Sequence, residues 1–146
     1  MSTVELSFSA LPVHVRTARL IVTAVARRSG VAEPLLDEVR LAVGEACSRA
    51  VEAHRRHCPD EPVRLELSGA GRRFEVTVSD TVPGDDTPKD LQAAVDADEF
   101  EYGWGEGTSE LGLAVIAGLA DDVEIAATPK GVQLRMSWPA EAEATI

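Results

Sequence analysis

Basic residues are scarce in this 146-residue chain: 14 lysines and arginines stand against 25 aspartates and glutamates, a formal net charge of -11. A nucleic-acid backbone is repelled by such a chain unless a local basic face exists, so direct binding of DNA or RNA is disfavoured. Cysteine is nearly absent. Cys47 and Cys58 are the only two, too few for a disulfide framework and spaced unlike a zinc site, which fits a reduced, cytosolic protein best. No window approaches the roughly 20 apolar residues of a membrane-spanning helix. The N-terminus MSTVELSFSA also lacks the basic region and apolar run of a secretion signal. Secretion and membrane insertion are both disfavoured, and the expected location is the cytoplasm. The length leaves room for one core and not two, so a single domain over residues 1–146 is expected.

The negative charge is unevenly spread. Residues 81–110 hold nine acids, Asp85, Asp86, Asp90, Asp96, Asp98, Glu99, Glu101, Glu106 and Glu110, with Lys89 the one base, whereas residues 1–60 hold eight bases and seven acids. The acidic stretch reads as a solvated, mobile loop or as a docking surface for a basic partner. With Pro and Gly throughout and a short helical pattern only at 89–95, the segment from about 81 to 109 exceeds ordinary loop lengths, as a functional lid does.

Elsewhere the patterning is regular. Val4, Leu6 and Phe8 alternate as in a half-buried strand. Pro12 suits a helix first turn, Val13, Thr17, Leu20, Ile21, Ala24 and Val25 recur at helical spacing, and Gly30 stops the helix. A longer helix runs from Glu33 or Pro34 to His57, with Leu36, Val39, Val43, Ala46, Cys47, Ala50 and Ala53 on one stripe and Glu38, Glu45, Arg49, Glu52 and Arg56 opposite. Strands follow at 63–68 and 74–79, with Gly69-Ala70-Gly71 as the turn. A buried helix around Leu111–Leu119 and strands at 123–127 and 132–138 complete the chain, with a frayed tail at 140–146. The fold class expected is α+β: a two-layer sandwich, a mixed, mostly antiparallel sheet with three helices on one face.

This order of elements, with EACSRAV in the long helix, Ser79-Asp80 closing a hairpin and Leu111-Gly112-Leu113 opening a later helix, resembles the GHKL (histidine-kinase-like) ATPase superfamily, and within it the small bacterial anti-sigma-factor serine kinases. The resemblance implies a Bergerat-type sandwich, ATP with magnesium as cofactors, and a site on four elements. A helix Glu acts as general base and matches Glu45. An Asn four residues later holds magnesium, and here that position is Arg49, whose guanidinium has five donors and no acceptor, so no metal ligand is assigned. A strand-end Asp that accepts the adenine amino group matches Asp80. The glycine-rich turn after it keeps Gly84 but has Val82 where another Gly is usual, and a Cβ there crowds a closely approaching base. The lid and helix start that receive phosphate match Gly107, Leu111 and Gly112, although Glu110 repels phosphate. A Thr after Gly in the last hairpin is replaced by Val132.

Read from the residues alone, Glu45 and Arg49 are also an ordinary i,i+4 pair on a helix face. Alternatively, Arg49 replaces the metal's charge and contacts phosphate directly. Asp80 equally suits a turn-initiating role. His54 and His57 stand at i,i+3 spacing without an acidic partner nearby in sequence, which disfavours metal binding, and Trp104 and Tyr102 fit loop packing better than partner anchoring.

Two functions are therefore open. One is an anti-sigma-like regulator that acts by protein–protein binding to a sigma factor or to an anti-anti-sigma (STAS-type) antagonist, with weak or lost ATP and kinase function. The other is an active ATP- and magnesium-dependent serine/threonine kinase that phosphorylates such an antagonist. The resemblance also allows a homodimer. A basic surface on a sigma factor complements the net charge, whereas Arg16, Arg19, Arg27 and Arg28 in the first helix suit an acidic antagonist.

Overall fold

The computed structural model describes residues 3–82 and 108–141. Eight elements follow one another: β1 (Thr3–Phe8), α1 (Pro12–Arg28), α2 (Glu33–His57), β2 (Val63–Ala70), β3 (Arg73–Ser79), α3 (Thr108–Leu119), β4 (Asp122–Thr128) and β5 (Gly131–Pro139). The strands form one sheet in the order β1-β2-β3-β5-β4, and every neighbouring pair is antiparallel. The expected mixed sheet is thus fully antiparallel, because both strands that follow α3 return as a hairpin alongside β3. Acidic residues 83–107, with Gly84, Gly107 and the helical pattern at 89–95, lie outside the described residues, as does the tail from 142.

Alternation along the strands sorts the sheet into two faces. Val63, Leu65, Leu67, Phe74, Val76, Val78, Leu134, Met136 and Trp138 are buried on one face, against the helices. The other face carries Glu5, Arg64, Glu66, Thr77, Gln133 and Arg135 in a shallow polar trough. Trp138 is fully buried, and its indole N–H donates to the carbonyl of Leu119 at 3.1 Å, which fixes the end of α3 to β5.

Helix α2 is central. Leu36, Val39, Val43, Ala46, Cys47 and Ala50 are all buried, as the spacing predicts, and the stripe ends on His54 rather than on the half-buried Ala53. Helix α1 packs on α2 through Val15, Ala18, Val22, Thr23 and Ala26. The stripe read from sequence, Val13 through Leu20 and Ile21 to Ala24, faces outward instead. Two apolar stripes run along α1, and spacing cannot choose between them; the one with alanines at the contact allows α1 and α2 to approach closely.

The β2–β3 turn is also displaced from its expected place. Ala70 pairs with Arg73, and the loop is Gly71-Arg72, with φ of 60° and 64°. Positive φ at both loop residues is the turn whose twist matches paired strands, and Gly71 adopts it without strain. No helix among the described residues is long and apolar enough to cross a membrane.

Candidate functional site

Glu45 and Arg49 sit one turn apart on α2, on the side away from its most buried stripe, and both are half-buried. They do not pair with each other. Arg49 instead reaches across to the end of β3, where its Nη1 donates to Oδ2 of Asp80 at 3.4 Å. Glu45 takes part in no ion pair among the described residues. The helix-surface pair expected from spacing is therefore replaced by a long-range one, because the almost fully buried Asp80 carboxylate attracts a guanidinium more strongly than the half-buried, better solvated Glu45 does.

Asp80 is the most heavily engaged side chain of the site, with only 2% of its side chain exposed. Its Oδ1 accepts the backbone N–H of Val82 at 3.0 Å and that of Val132 at 3.1 Å. The Asp80 N–H in turn donates to the carbonyl of Val132 at 3.0 Å. Asp80 therefore initiates its own turn and also clamps the end of β3 to the start of β5. The clamp needs Gly131, whose φ is +147°: a Cβ there would lie 1.9 Å from the Asp80 carbonyl oxygen.

A second buried polar group supports this corner. His54, fully buried on α2, has Nδ1 2.8 Å from the Glu61 carbonyl, while its Nε2 accepts the Thr81 N–H at 3.0 Å. The carbonyl cannot donate, so the ring is the neutral tautomer with its proton on Nδ1. With both nitrogens engaged, His54 is a structural tie between α2, the α2–β2 turn and the residue after Asp80. The i,i+4 continuation of the buried stripe from Ala50 carried a signal for it. No group of three or more His, Cys, Asp or Glu side chains among the described residues is placed to hold a metal ion.

Gly44 is a further feature without a sequence signal. It opens a notch in α2 that the Arg19 side chain crosses; a Cβ there would stand 2.5 Å from Arg19 Cδ. Nearby, Cys47 is pushed up to about 12 by burial, an effect partly offset by the positive charge of Arg19.

The site's donor set bears on nucleotide chemistry. Arg49 stands at the position where a magnesium ligand is expected and offers only donors; its Nε is buried with no hydrogen-bond partner among the described residues. Asp80, where an adenine acceptor is expected, has Oδ1 filled twice and Oδ2 facing Arg49. These residues do not fit a magnesium ion. Leu111 and Gly112 fall within α3, near its N-terminus.

The fold has counterparts among solved structures. The fold is similar to the RsbU and RsbW domains of Rv1364c from Mycobacterium tuberculosis, with TM-score 0.68 and 14% identity over 99% of this chain and 33% of that one. It is also similar to a chain of the SiaB–SiaC complex from Pseudomonas aeruginosa, with TM-score 0.70 and 11% identity over 92% of this chain and 88% of that one. The chain thus spans about a third of the Rv1364c structure. No curated protein matches it. Residues 8–138 match the family described as histidine kinase-like ATPase domain, and the chain belongs to that family.

Proposed function

We propose that this chain is a cytosolic regulator of the anti-sigma type, which acts by binding a protein partner and has a weakened nucleotide site. The Arg49–Asp80 pair carries this reading. The carboxylate that would read adenine is held by two backbone N–H groups and a guanidinium, and the residue that would hold magnesium is the same guanidinium. A nucleotide reaching Asp80 has to displace Arg49, which leaves a largely buried cation unpaired. The structural similarity to one chain of a two-protein complex supports a protein partner. The partner in this reading is a sigma factor or its STAS-type antagonist.

One observation favours the second reading, an ATP- and magnesium-dependent serine/threonine kinase acting on the antagonist. Glu45 has no ion pair among the described residues, and an unpaired carboxylate is what a general base requires. Calorimetric titration with ATP and magnesium separates the two. The regulatory reading expects weak binding or none, with no phosphate transferred to a STAS-type domain that the chain nevertheless binds. Submicromolar, magnesium-dependent affinity would establish the kinase reading instead. Arg49→Asn is expected to restore magnesium dependence where the rest of the site permits it.

A further inference from the structure

We draw no further inference here: the strongest candidate, the carboxylate cluster on the open face of the sheet where Glu5 stands opposite Glu66 with Glu75 on the next strand, is an acidic patch alone, and nothing in the structure shows what covers it.

Discussion

Arg49 and Asp80, 31 positions apart in the chain, meet at 3.4 Å and join the middle helix to the end of the third strand. The two partners are not equally indispensable. Removing Arg49 costs one charged hydrogen bond, about 1.5–3 kcal/mol. Removing Asp80 strands Arg49 and also the N–H groups of Val82 and Val132, and breaking a buried pair from that side costs about 3–5 kcal/mol. Urea denaturation of Arg49→Ala, Asp80→Ala and the double variant should give Asp80→Ala the larger loss and a coupling within about 0.5–3 kcal/mol. An Asp80→Ala loss no greater than that of Arg49→Ala would show that the backbone clamp contributes little.

How much of this was legible beforehand depended on the range of the interaction. Strands and helices follow local periodicity, so α2 from Glu33 to His57 and the alternation in β2, β3 and β5 were readable. The turn at Gly71-Arg72 was misplaced by its glycine-rich neighbours, because nothing local distinguishes Gly69 from Gly71 until pairing fixes Ala70 opposite Arg73. The buried side of α1 was not decidable from spacing, since both stripes are apolar. Glu45, Arg49 and Asp80 were singled out by position within a resemblance, but the choice of Arg49 between Glu45 and Asp80 is set by tertiary approach alone. Gly44 and Gly131 matter through what lies opposite them, and no spacing rule reports that.

His54 should be one of the most sensitive polar positions. His54→Phe keeps a planar ring, somewhat larger than the imidazole, and leaves the Thr81 N–H and the Glu61 carbonyl without their partner, a loss of about 3 kcal/mol or more. His57→Phe, on the exposed last turn of the same helix, should change stability by less than about 0.5 kcal/mol. Comparable losses for the two variants would mean that the His54 ties are replaceable by water.

Two glycines with positive φ should respond differently to alanine. At Gly71 nothing lies within 4 Å of an added Cβ, so the change costs only the left-handed conformation, about 1–2 kcal/mol. At Gly131 the added Cβ would sit 1.9 Å from the Asp80 carbonyl oxygen, and the ends of β3 and β5 have to separate. Gly131→Ala should therefore lower the thermal midpoint much further than Gly71→Ala. Equal midpoints would indicate that the Asp80 corner yields without loss.

Burial of Cys47 should give the stability a specific alkaline dependence. The thiol is raised from an ordinary value near 9.0 to about 12, so the folded chain holds this proton more tightly than the unfolded chain. The associated stability is fully present below about pH 9 and is lost as pH rises toward 12, with a limiting slope of about 1.4 kcal/mol per pH unit. Cys47→Ala removes that term. It also leaves a small cavity, so the variant should be less stable at neutral pH. Urea titrations of both proteins at several pH values from neutral to alkaline should show the native chain losing its advantage over Cys47→Ala above about pH 9, while other alkaline titrations affect the two alike. A difference that stays constant over that range would mean that water reaches the Cys47 thiol in the folded state.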